Sequence, residues 1–131
     1  MRCSICGKEI KGRGNSPYPI PGGKCCDECN YRVVVPFRVF LNSIEKGDVA
    51  MLIKPKGVIE NIKVTEPLTL EQLQAAVEGY IAITPSPIEN YIFVVNEEGK
   101  LKGLPFNKIV YLLFGTEFVG NVLVVHKQWV E

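Results

Sequence analysis

Two short stretches, Cys3-Ser4-Ile5-Cys6 and Cys26-Asp27-Glu28-Cys29, decide how the first part of this chain folds. The 19 residues 7–25 lie between them, a linker length typical of zinc sites built from two such pairs. A two-residue gap lets both thiolates of a pair reach one tetrahedral ion from a single tight turn, whereas a disulfide between such near neighbours is strained and redox-active. Gly7, directly after Cys6, can take the positive φ that turns backbone amides toward the sulfurs. The segment from Lys8 to Cys25 is rich in glycine and proline and has almost nothing to bury. It is expected to order only around a metal, with a stabilisation on the order of 10 kcal/mol near neutral pH. The rival readings are a redox dithiol and a pair of disulfides; an intracellular setting disfavours disulfides, and no βαβ pattern accompanies the motif. The expected cofactor is structural zinc on Cys3, Cys6, Cys26 and Cys29. Cys25 is an alternative to Cys26, with a three-residue gap to Cys29; otherwise it is either a nucleophile activated by the nearby metal and Lys24 or, the favoured reading with the only histidine, His126, far along the chain, a buried or half-buried thiol.

Beyond Cys29, the apolar positions Phe37, Phe40, Leu41 and Ile44 follow helical spacing, with Gly47 as a C-cap. Pro36 is tolerable in a first helical turn. The three valines before it leave two forms of the join open: one helix kinked at Pro36, or a short extended piece leading into it. A knuckle followed by a second cysteine pair that opens into a helix resembles the treble-clef arrangement, which by itself carries little information about function. The expected organisation is a zinc-binding module over residues 1–48 and a small α+β domain over residues 49–131. Residues 1–48 hold eight basic and five acidic side chains, and residues 49–131 hold seven and nine. Four thiolates around one divalent ion add a charge of about −2, so the basic front part comes close to neutral once metallated.

In the second part, Ala50-Met51-Leu52-Ile53 and Val58-Ile59-Glu60-Asn61-Ile62-Lys63-Val64 flank the turn cluster Lys54-Pro55-Lys56-Gly57 and read as a hairpin. Thr69-Leu70-Glu71-Gln72 carries the capping-box pattern and opens a helix with Leu70, Leu73, Ala76 and Val77 as its buried stripe and Gly79 as its stop. Tyr80-Ile81-Ala82-Ile83 and Tyr91-Ile92-Phe93-Val94-Val95 are predicted strands. Asn107 caps a helix over residues 108–114 ended by Gly115, and a last strand runs from Phe118 to Val125. The order ββαββαβ predicts a small α+β domain with one mostly antiparallel sheet.

The stretches Ile53-Lys54-Pro55, Val95-Asn96-Glu97-Glu98-Gly99-Lys100-Leu101-Lys102-Gly103-Leu104-Pro105-Phe106-Asn107 and Val119-Gly120-Asn121-Val122-Leu123-Val124-Val125 resemble the phage and prophage family called domain of unknown function 3846, over residues 49 to about 127. The front segment is similar to the cysteine-rich heads of small phage proteins. The resemblance implies a viral or mobile-element origin rather than a particular chemistry.

Catalytic groups are few. With one histidine and no nucleophile elbow, Walker loop, dinucleotide fingerprint or His-Glu-x-x-His, a non-enzymatic role is expected. Adjacent Glu97 and Glu98 read as a solvated turn, and His126 as a surface or capping residue. The candidate ligand site is the loop from Gly99 to Asn107. There Lys100 and Lys102 on an extended backbone point to one side, Asn107 opens a helix whose free amides attract anions, and Phe106 and Tyr111 offer stacking faces. The alternative is a polar loop whose lysines only solubilise.

Three functions follow. The first is capture of a small anionic, nucleotide-like ligand or a host protein, blunting a host defence. The second is nucleic-acid binding by the zinc module through Lys8, Lys11, Arg13, Lys24, Arg32 and Arg38. The third is a homo-oligomeric assembly unit with the apolar strand Tyr91 to Val95 or Phe118 to Val125 at an intersubunit edge. No apolar run approaches the roughly 18 to 20 residues that span a bilayer, so no membrane partner is expected and the location is expected to be cytoplasmic.

Overall fold

The computed structural model describes residues 1–130. The hairpin forms as its turn cluster predicts: β1 (Val49–Lys54) and β2 (Val58–Lys63) pair antiparallel, with Val49 opposite Lys63 and Lys54 opposite Val58. β3 (Ile81–Pro85), β4 (Tyr91–Asn96) and β5 (Val122–His126) complete a five-stranded antiparallel sheet in the order β2-β1-β5-β4-β3. The strand last in sequence is thus the central one.

Because side chains alternate across a strand, the sheet buries two separate apolar sets. Met51, Ile53, Phe93, Val95, Val122 and Val124 face one way, and Ala50, Leu52, Val94, Leu123 and Val125 face the other. Each fully buried Val, Leu, Ile, Phe or Met among them contributes about 1.5–3 kcal/mol. The helix α3 (Leu70–Val77) covers the second face with Leu73 and Val77. The first face carries α2 (Val35–Asn42), α4 (Lys108–Phe114) and the cysteine-bearing segment, all within one continuous hydrophobic cluster. Phe114 of α4 packs edge-on against both Phe37 of α2 and Phe93 of β4.

The join at Pro36 is helical throughout. A single turn, α1 (Asp27–Cys29), runs into a π turn over Asn30–Val34 and then into α2. The Val35 N–H bonds to the Asn30 carbonyl, five residues back. In regular α geometry Pro36 would offer no N–H to the Arg32 carbonyl and its ring would crowd that group; the wider π turn opens the backbone just ahead of the ring. The helix ends at Asn42 rather than running to Gly47. Gly47, at φ 68°, instead seals the joint with the sheet: its carbonyl accepts the Trp129 indole N–H at 2.6 Å, and a Cβ there would lie 2.8 Å from the His126 ring.

Elsewhere the structure refines the predicted ends. The capping box of α3 forms in both directions, Thr69 Oγ1 accepting from Gln72 N and Gln72 Oε1 accepting from Thr69 N. Its left-handed C-cap is Glu78, at φ 62°, not Gly79. Gly79 has a steric role, since a Cβ would lie 2.6 Å from the Asn96 amide, which itself bonds to the carbonyls ending α3. Leu70 is exposed rather than part of the buried stripe, which Leu73 and Val77 form. Strand β5 begins at Val122, not Phe118. Val119 forms an isolated bridge to Phe106 and Gly120 turns at φ 76°, so residues 118–120 pair with the loop before α4. His126 ends β5 and caps a 3-10 turn (Lys127–Trp129) through Nδ1.

Candidate metal centre

The first cysteine pair sits in a tight knuckle. An isolated bridge joins Arg2 to Glu9, the Cys3 N–H donates to Lys8 O at 2.8 Å, and Gly7 turns the chain at φ 78° with its N–H on Cys3 O. The glycine leaves the amides of Ile5 and Cys6 free to aim at Cys3 Sγ, each at 3.4 Å. The second pair opens a helix instead: Cys26 is the N-cap of α1, and its sulfur accepts from Cys29 N at 3.4 Å. The Ser4 N–H, donating to Lys24 O at 2.8 Å, ties the knuckle to the strand-like stretch that leads into the second pair.

The result brings the sulfurs of Cys3, Cys6, Cys26 and Cys29 within 4.8 Å of one another. All five cysteines are free thiols, and the Cys6 and Cys26 sulfurs lie 3.8 Å apart. That spacing is far beyond a disulfide bond. Around a tetrahedral ion with metal–sulfur bonds of about 2.3 Å, neighbouring sulfurs sit about 3.8 Å apart. The donor set and its spacing therefore fit one tetrahedral metal ion. The choice between Cys25 and Cys26 falls to Cys26: Cys25 is fully buried, and its backbone exchanges two 2.8 Å hydrogen bonds with Asn15, which turns its side chain into the apolar interior.

Electrostatics differ among Cys3, Cys6 and Cys29. Burial opposes the charged form of Cys3, but hydrogen bonds from the amides of Cys6, Cys26 and Ile5 outweigh it together and bring this thiol down to about 6. Burial raises Cys6 and Cys29, with neighbouring sulfurs adding to the rise at Cys29, and Cys25 is raised by burial and by its charged sulfur neighbours. A divalent ion supplies the counter-charge that such a cluster otherwise lacks.

The cluster forms one wall of a cleft of about 250 Å³. Cys6, Cys26 and Cys29 face Pro55, Lys56 and Gly57 of the β1–β2 turn and Lys108 and Ile109 at the start of α4. Lys8, Arg32, Lys56 and Lys108 line it against one acid, Glu28, which pairs with Arg32 at 3.1 Å. This convergence is invisible to local sequence reading, because the four cations come from four separate places in the chain. The turn dipeptide Lys54-Pro55 and the helix start at Lys108 were legible, but not their meeting at the knuckle.

The loop from Gly99 to Asn107 is arranged differently from its expected extended form. Residues 97–103 make successive tight turns, with the Lys102 N–H on Glu98 O and the Gly103 N–H on Lys100 O. Lys100 therefore lines a small cleft with Glu97 and Glu117, while the Lys102 ammonium lies beside Gly79. Phe106 and Tyr111 are half exposed and rest on each other at 6.1 Å. Asn107 is wholly buried and has no group free for a ligand: its amide donates to Ile53 O and Gly120 O and its oxygen accepts from Val110 N, the helix cap that its position predicts.

Residues 47–129 match the family described as Domain of unknown function (DUF3846), and the chain belongs to that family. The match begins at Gly47, so the cysteine cluster lies outside it. No curated protein and no solved structure matches the chain. Among the described residues no helix is long and apolar enough to cross a membrane.

Proposed function

We propose that this is a non-enzymatic binding protein of phage or prophage type, in which a structural zinc ion on Cys3, Cys6, Cys26 and Cys29 builds one wall of a cleft for a small anionic, nucleotide-like ligand in the host cytoplasm. Zinc is the natural occupant of a closed set of four thiolates at tetrahedral spacing. The cleft carries the reading. Glu28 is offset by Arg32 and the charge of a zinc–thiolate centre by two lysines, which leaves one lysine of the three that line the cleft uncompensated. Ile5, Pro55 and Ile109 give that space an apolar floor suited to a ligand with a charged end and a flat uncharged part. The mobile-element setting rests on the family resemblance.

Nucleic-acid binding through the cysteine segment is the weaker reading, since two of its six proposed cations are engaged within the chain. Arg38 donates to Tyr18 O at 2.7 Å and Ser16 O at 3.0 Å, and Arg32 pairs with Glu28.

Elemental analysis of protein purified without chelators is expected to give one zinc per chain. Calorimetry and thermal shift with inorganic phosphate and purine nucleotides test the cleft. A ligand at about 100 times its Kd stabilises the fold by about 2.7 kcal/mol. Lys56→Glu with Lys108→Glu should abolish that gain, and Lys100→Ala with Lys102→Ala should leave it intact. Absence of zinc from an ordered front segment, no response to any nucleotide, or full binding by the Lys56/Lys108 variant overturns the proposal.

A further inference from the structure

Next to the cleft, and sharing Arg32 and Lys56 with it, an open groove of about 590 Å³ runs between the helical segment and β2. Its helical wall is unusual. Val33, Val34, Phe37 and Phe40 are the buried side of that segment, yet Tyr31, Val35 and Val39 form a second apolar stripe that is 78%, 43% and 45% exposed. Single exposed apolar residues are ordinary, but three on one groove, joined by Pro36 and Val58, make a continuous patch of the kind that marks an interaction surface.

The opposite wall is the outermost strand. Among the described residues β2 pairs only with β1, so its outer backbone groups have no strand partner. The two sheet edges differ. Edge β3 ends in Pro85, which cannot donate to a neighbour, whereas β2 contains neither proline nor glycine. Two cations line the groove and no acid does: Arg32 is already held by Glu28, and Lys56 makes no ion pair among the described residues. Glu60 alternates to the far face of β2 from Ile59 and bonds Lys54 there.

We propose that this groove is a docking site for an extended acidic segment of a partner protein, which adds a strand to the edge of β2. Its apolar side chains rest on Tyr31, Val35 and Val39, and a carboxylate meets Lys56. Main-chain hydrogen bonds to β2 hold such a segment, and the apolar stripe selects alternate side chains. A second copy of this chain is the poorer occupant, because two such grooves placed face to face oppose Arg32 and Lys56 of one copy to the same cations of the other. This inference goes beyond the small-ligand reading and does not depend on it.

The test selects random nine-residue peptides displayed on yeast against the full, zinc-loaded chain and measures the winners as free synthetic peptides. The expected winners alternate β-branched or aromatic residues with Asp or Glu, protect the amides of residues 58–63 from hydrogen exchange, and bind about tenfold more weakly to Lys56→Glu. Val39→Asp should weaken them at least as much with an unchanged melting temperature; if that variant melts early, Lys56→Glu and the exchange data decide alone. Winners without acidic bias, winners that leave residues 58–63 unprotected, or undiminished binding to Lys56→Glu overturn the inference. So does concentration-dependent dimerisation that Val39→Asp abolishes.

Discussion

In residues 1–26 the backbone is ordered by two isolated bridges, Arg2 with Glu9 and Asn15 with Cys25, and by sulfurs gathered at one point. In the sheet, by contrast, every strand has a neighbour along most of its length, and the inner strands β1, β4 and β5 alternate their side chains into apolar sets on both faces. One region draws its order from a few directional bonds, the other from distributed burial. The two nevertheless meet in a single cluster, where Ile5, Ile10 and Ile20 pack with Phe37, Phe40 and Met51. The front region is therefore buried against the sheet as well, and Cys3, Cys25 and Cys29 belong to the cluster that covers the sheet's first face.

Removing the metal should separate the two regions most sharply. With a strong chelator, or in Cys6→Ser with Cys29→Ser, residues 1–26 should lose order, with a loss on the order of 10 kcal/mol in apparent metal-linked stability. Amide exchange and thiol labelling check this: the front amides and the remaining cysteines become reactive while the amides of β1, β4 and β5 stay protected. Front amides that stay protected without metal would erase the contrast.

A change inside the sheet region should act the other way. Asn107→Ala leaves the Ile53 and Gly120 carbonyls and the Val110 N–H without their partner in a fully buried place, costing about 3 kcal/mol in urea unfolding. Zinc content should not change. Smaller still, Thr69→Ala removes one half of the α3 capping box and should cost about 1 kcal/mol, read by the same titration.

How far the sequence could be read follows the same division. Where one residue acts on its near neighbours, its effect was legible: the two cysteine pairs, the Thr69 box, the Asn107 cap and the Lys54–Gly57 turn all form as their local chemistry dictates. What was hidden depends on distant chain. Nothing near Glu78 announces that it takes the left-handed cap, because Gly79 is claimed by Asn96 from β4. The π turn is a response to Pro36 that spares the Val33 and Val34 packing on the core. The four cations of the cleft meet only because α4 and the β1–β2 turn are folded against the knuckle. Lys100 and Lys102 illustrate the reverse error, since neighbours two apart share a side only on extended backbone, and that loop is coiled into turns.

The central place of β5 has a consequence during synthesis. The hairpin of β1 and β2 and that of β3 and β4 are complete long before residues 122–126 leave the ribosome, yet each holds an inner edge whose partner is still unmade. Until then Ile53 and Val94 face water beside open backbone, the condition in which nascent strands pair with the wrong chain. A late central strand therefore makes the growing polypeptide, more than the finished one, the form in need of chaperones.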